Sequence, residues 1–282
     1  MMYKMVALKR NVNTLPVTCL GWLVYWLRPF NKSNAQKNIE RVFQNSLTGR
    51  EKKRLSVAYY SHVIRCIKEI ILYAFVDKHR LAKRVNIIGI EHLNQAVQKG
   101  KGVLVMTGHL GGWEFAPLFS FPTFDCYKDR FYCIRKSLRF AFLDKIFLRR
   151  FEAVGFQIIN KNNAVRHVRK ALKNQGIVFF PFDLRPHHSA KNNLWVDFMG
   201  QKTNTYASLA YLAERCETPV VSVTFYRLPN QHHVIEFHPE IIEQTGETHE
   251  DKLMQKTKRY NRRLEEMILL NPEQWLWSYK RW

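Results

Sequence analysis

The chain has 282 residues, 46% of them apolar, enough to bury a substantial core in one α/β domain and to exclude a disordered chain. Its 45 Lys and Arg against 23 Asp and Glu give a net charge of +22, which points to a polyanionic partner: an anionic membrane surface, a phosphorylated lipid or nucleic acid. Cys19, Cys66, Cys126, Cys133 and Cys216 are odd in number, scattered and without a CxxC pair, which excludes a disulfide framework and a cysteine zinc site.

Taken in chain order, the first feature is the apolar run Leu15 to Leu27. As a helix its 13 residues reach only about 20 Å of a roughly 30 Å hydrocarbon core, so it is too short to span. Lys9 and Arg10 before it, Arg28 after it and its Trp residues suit a helix lying in a membrane interface, and residues 1–34 are read as an anchoring segment. A core helix packed on the domain fits equally well, and a signal peptide cleaved after Ser33-Asn34-Ala35 is the third reading. The 19 Phe, 12 Tyr and 7 Trp favour an interface where headgroups meet acyl chains, while basic surfaces with aromatics also bind single-stranded nucleic acid.

Residues 35–282 are expected to form a single α/β domain. Residues 35–82 read as helical, with Thr48 and Glu51 in a capping box and Leu55, Tyr59, Val63, Cys66, Ile67, Ile70, Ile71 and Ala74 at helical spacing. Short apolar runs then alternate with longer segments: Gly102 to Thr107, Arg130 to Ile134, Gly155 to Ile159, Ile177 to Phe180 and Val220 to Tyr226 as strands, 138–152, 163–174 and 204–216 as helices. That alternation predicts crossover units and a mainly parallel sheet with helices on both faces. A long charged helix from Glu250 to Leu270 closes the series.

Ligands of such sheets bind beyond the carboxyl ends of the strands, where loops lead into helices. His109 falls there, directly after the run ending at Thr107, with Glu114 five positions on. In one continuous helix residues five apart point about 140° from each other, so the pair can meet only if His109 lies in the turn and Glu114 in the first helical turn. The carboxylate would then hold the imidazole in one tautomer as a general base, and Gly111 and Gly112 would offer backbone N–H groups to a developing oxyanion. The spacing alone is weak, because 11 His and 23 acids in 282 positions yield about one such match by chance. His238 and Glu243 make a second match, but Pro239 follows at once and no glycine surrounds it, so it reads as a strand end.

The block Gly108 to Glu114 resembles the His-x4-Glu block of the late lipid A acyltransferases, the lauroyl and myristoyl transferases within the glycerolipid and lysophospholipid acyltransferase superfamily. Phe131 to Arg135 resembles the family's second block and Gly176 to Arg185 its third. Val196 to Gly200 with the helix expected over Thr203 to Glu214, the ending Pro272 to Trp282, and the early Asn38 to Phe43 are also similar, in the family's order. Two departures stand out: Leu184 and Arg185 follow Asp183 where the family has roughly Asp-x-Asp, and Tyr279 stands where its terminal signature has a His.

The resemblance implies acyl transfer from a carrier thioester, acyl carrier protein or coenzyme A, to a hydroxyl of a phosphorylated lipid A precursor, without a metal or bound cofactor. His109 would be the base and Glu114 its orienter. Arg135, Arg150 and Arg185 would bind phosphate or stabilise charge, and Asp183 would face the same cleft. The resemblance also implies the cytoplasmic face of a bacterial inner membrane and no nucleic-acid partner. A lysophospholipid acceptor is the alternative. A metal-dependent hydrolase built on His109, Glu114, Asp183, His187 and His188, and a non-catalytic basic binding protein, are remoter ones, since no H-E-x-x-H and no G-x-S-x-G occurs.

Overall fold

The computed structural model describes residues 8, 11–27, 32–73, 76–113, 124–135, 145, 148–149, 151–161, 163–186, 193–242 and 248–282. The expected helix over 138–152 therefore lies largely outside the described residues, as do Glu114, Arg150, His187, His188 and Glu243.

The chain starts with α1 (Cys19–Trp26), capped by the Thr18 hydroxyl on the Gly21 N–H, then α2 (Lys32–Phe43) and α3 (Gly49–Leu72). Thr48 and Glu51 form the expected capping box of α3. A short α4 (Lys78–Ala82) leads to β1 (Val85–Ile88), α5 (Ile90–Gln98), β2 (Val103–Thr107), β3 (Phe131–Arg135) and β4 (Phe156–Asn160). Then come α6 (Ala164–Lys173), β5 (Ile177–Pro181), the hairpin β6 (Asn193–Phe198) and β7 (Gln201–Tyr206), α7 (Ser208–Cys216), β8 (Val220–Arg227), β9 (His233–His238) and α8 (His249–Leu270).

Seven strands form one sheet in the order β1-β9-β8-β2-β5-β3-β4. β8, β2, β5, β3 and β4 run parallel, and β9, antiparallel to β8, turns β1 with it, so the sheet is mainly parallel as expected. Period-2 alternation separates two cores across it. Leu104, Met106, Val178 and Phe180 face the layer built from α1 to α3 and α6 to α8, whereas Val103, Val105 and Ile177 face Leu93 and Ala96 of α5. Every residue of β2 is buried, as a central strand of a doubly covered sheet requires.

The sequence placed a helix over 204–216, but β7 occupies Gln201–Tyr206 and α7 begins only at Ser208. Met199 and Gly200 both have positive φ, 51° and 70°, the geometry of a tight hairpin turn, and it returns the chain as a strand whose buried Thr203 and Thr205 pack inward. His238 ends β9 with its Nε2 2.8 Å from the Thr224 hydroxyl, the strand-end position expected for it.

The first segment is packed on the domain. Val12, Leu15 and Tyr25 belong to the main core, Arg54 binds the Val12 and Leu15 carbonyls, and a Cβ on Gly21 would come within 2.0 Å of the Ser61 hydroxyl, so α1 and α3 touch backbone to side chain. Its outer face leaves Leu20, Leu23, Trp26 and Leu27 between 50% and 70% exposed. No helix among the described residues is long and apolar enough to cross a membrane.

Candidate active site

Register alone brings the site together. β2 and β5 are parallel neighbours with Thr107 opposite Pro181, so His109 and Asp183, each two residues beyond its strand, emerge side by side at the carboxyl edge. His109 Nδ1 lies 2.8 Å from Asp183 Oδ1, and the His109 backbone N–H donates to Oδ2 at 2.8 Å. The turn is possible because both flanking positions are glycine. A Cβ on Gly108 would sit 3.3 Å from the Asp183 carboxylate and 3.0 Å from Leu264. On Gly111, at φ +56°, it would meet the Phe225 carbonyl at 2.3 Å.

A third element completes the carboxylate's surroundings. The segment after α8 folds back across the turn: Leu110 bridges Trp275, Gly111 N–H donates to the Gln274 carbonyl at 2.9 Å, and Leu276 N–H donates to the His109 carbonyl at 3.2 Å. The Trp275 indole N–H donates to Asp183 Oδ2 at 2.9 Å. Asp183 is 2% exposed. Burial by itself would push its carboxyl up, but the neighbouring His109 and the three donors outweigh that and hold it below the usual carboxylate value, so Asp183 is an anion facing the imidazole. Trp113 meets the imidazole edge-on with ring centres 4.5 Å apart.

Behind the turn lies a buried polar cluster that the sequence reading missed. Arg227, at the end of β8, makes a bidentate pair with Glu69 of α3, donates to His62 Nδ1 at 3.2 Å and reaches Cys66 Sγ, whose thiol faces the Gly111 carbonyl at 3.7 Å. The Arg227 backbone is clasped by the Gln274 side chain through both its N–H and its carbonyl. The cluster thus ties α3, β8 and the segment after α8 to the glycine turn. Glu69 and Arg227 lie 158 positions apart, so no local pattern could have announced the pair.

The other expected site residues divide. Cys133 pairs with Phe179, so Arg135 stands level with Pro181 at the same edge, one strand beyond β5 and about 10 Å across the sheet from β2. Arg185 follows Asp183 at the site, and its backbone is hydrogen-bonded to the Tyr279 phenol. The two places where the chain departs from the family pattern, Arg185 and Tyr279, therefore meet. Gly111 spends its N–H on Gln274 and holds the segment after α8, which removes it from the pair of amides expected to face an oxyanion and leaves Gly112, buried beside it. Among the described residues no group of three His, Cys, Asp or Glu side chains could hold a metal.

The profile of the family described as bacterial lipid A biosynthesis acyltransferase matches residues 2–282. A lipid A biosynthesis acyltransferase of Haemophilus influenzae is 24% identical over 252 residues, 87% of this chain and 74% of that protein. A phosphatidylinositol mannoside acyltransferase of Mycolicibacterium smegmatis is 25% identical over 161 residues, 57% of this chain and 51% of the relative, so the match spans about half of that protein's length.

Proposed function

Because the chain belongs to the bacterial lipid A biosynthesis acyltransferase family and is an acyltransferase, we propose that it moves a fatty acyl group from a carrier thioester, acyl carrier protein, to a hydroxyl of a phosphorylated glycolipid of the lipid A precursor type, with His109 as general base. The observation that carries this is the 2.8 Å contact between His109 Nδ1 and the buried Asp183 carboxylate. With Nδ1 directed at Asp183, Nε2 is the nitrogen that takes the acceptor proton as the hydroxyl oxygen attacks the thioester carbon. A C–O bond forms, the C–S bond breaks, and the imidazolium returns its proton to the departing thiolate. Asp183 stabilises the imidazolium in between, as an orienting carboxylate does in other acyl transfers. Glu114, expected from the sequence to orient His109, is proposed instead to add negative charge that stabilises the imidazolium, since Asp183 takes Nδ1 and Nε2 must stay free for the hydroxyl.

Arg135, Arg150 and Arg185 are proposed to meet the acceptor's phosphate, and the Gly112 amide the oxyanion. The exposed Leu20, Leu23, Trp26 and Leu27 with the net charge of +22 fit an anionic membrane surface, the cytoplasmic face of a bacterial inner membrane, as the place of work. A second acceptor reading, another phosphate-bearing membrane glycolipid, is favoured by the mycobacterial relative's name.

The test is acyl transfer by the purified chain from acyl carrier protein and from coenzyme A thioesters. His109→Ala and Glu114→Ala are expected to abolish turnover, and Asp183→Asn to lower kcat by about a hundredfold or more while vesicle binding persists. Wild-type turnover in folded His109→Ala would end the general-base mechanism. Mass spectrometry of cellular lipids with and without the gene identifies the acceptor.

A further inference from the structure

The Asp183 carboxylate turns about a terminal torsion that is broad and soft, so the direction of Oδ1 toward His109 is set by whatever holds Oδ2. Two donors hold it: the His109 backbone N–H at 2.8 Å and the Trp275 indole at 2.9 Å. The first belongs to the same turn as the imidazole and moves with it. Trp275 comes from a different element and gives the carboxylate a reference fixed in the body of the protein.

That reference is rigid. Trp275 is 2% exposed, lies edge-on to Trp277 at 4.7 Å and to Phe198 at 5.9 Å, and is joined through its backbone to Leu110. The preceding Gln274 clasps the Arg227 backbone with two hydrogen bonds of 2.8 and 3.0 Å. We propose that Trp275 is a positioning residue for acyl transfer, its indole N–H locking Asp183 so that Oδ1 faces His109 Nδ1; this rests on the reading of His109 as the base. Removing the indole donor leaves Oδ2 on the His109 N–H, which moves with the turn, and leaves more negative charge on the carboxylate, which stabilises the imidazolium and makes His109 a base that is protonated at higher pH.

Trp275→Phe keeps a ring in the slot and deletes the N–H. Expected are a kcat lower by about tenfold with KM within about twofold, and an acid limb of the kcat/KM profile moved up by about half a unit. Tyr127→Phe is the control for mere structure. It deletes a hydrogen-bond donor elsewhere in the molecule, the Tyr127 hydroxyl on Asn94 Oδ1 at 2.6 Å. It should lower Tm and leave the acid limb in place. A folded Trp275→Phe with wild-type kcat and acid limb overturns the proposal, as do equal limb shifts in both variants.

Where Trp275→Phe fails to fold, the wild-type chain still decides. Its Trp275 indole N–H resonance should titrate with the midpoint of the His109 imidazole, and an unmoved resonance overturns the proposal. If His109→Ala keeps full turnover, the base reading fails by itself, while the same titration still reports whether Trp275 senses the His109–Asp183 pair.

Discussion

His62 sits where Arg227 needs an acceptor. A guanidinium can only donate, so His62 Nδ1 is unprotonated and the ring proton is on Nε2, 3.3 Å from Cys66 Sγ. Burial, and then the positive charge of Arg227, pull the His62 pKa down to about 3. The folded protein therefore refuses a proton that the unfolded chain accepts near the ordinary histidine value of about 6.5. The neutral ring contributes its full stability above that pH and loses it progressively as the pH falls toward 3. His62→Gln, which keeps an acceptor for Arg227 and cannot titrate, should flatten the fall in Tm between about pH 6.5 and 4, with His233 and His238, both also lowered by burial, contributing to the slope that remains. An unchanged slope would show that His62 takes no part. At this scale the sequence was partly legible: His109 stood out through its strand end and glycines, and Asp183 through its place after a buried strand. That Asp183 grips Nδ1 follows from the pairing of β2 with β5, two strands 74 positions apart, which no local spacing encodes.

The β6–β7 hairpin and the segment after α8 form one unit through Arg281. Its side chain is fully buried over the Phe198 ring at 4.7 Å, and donates to the Thr203 and Thr205 hydroxyls and the Asn204 carbonyl. Burial draws its pKa down to about 10, with the charge of Asp183 acting in the opposite sense, so it remains a cation. Arg281→Ala should cost about 3 kcal/mol, read from urea unfolding with an unchanged m-value, because it strands buried hydroxyls and opens a cavity. This is also where sequence reading of elements failed. Thr203 to Tyr206 precedes a true helix without a break in composition, and the strand is dictated by a hairpin turn and a partner some 76 positions away. The central strands were legible because their length and apolar continuity need no partner to be seen, whereas β1, half-exposed and only four residues long, has no such run.

Over the whole molecule, charge and apolar exposure act together. With a net charge of +22, binding to anionic vesicles should weaken steeply between about 0.05 and 0.5 M salt. Trp26→Ala with Leu27→Ala, at 64% and 70% exposure, should remove most of the binding that survives high salt, as measured by vesicle sedimentation. Unchanged high-salt binding would place the membrane contact elsewhere. The segment after α8 is also stitched to the first helices: Asn38 of α2 donates to the Trp277 and Tyr279 carbonyls, across 239 and 241 positions, and Tyr59 of α3 donates to the Ser278 hydroxyl. Contacts so distant in sequence close loops that take in most of the chain and reward the chain only late in folding. A fragment of residues 85–242 would therefore carry all seven strands of the sheet, His109 and Asp183, yet lack both the indole that fixes the carboxylate and the helices that anchor that indole. The His109–Asp183 geometry in this fold is a property of the finished topology.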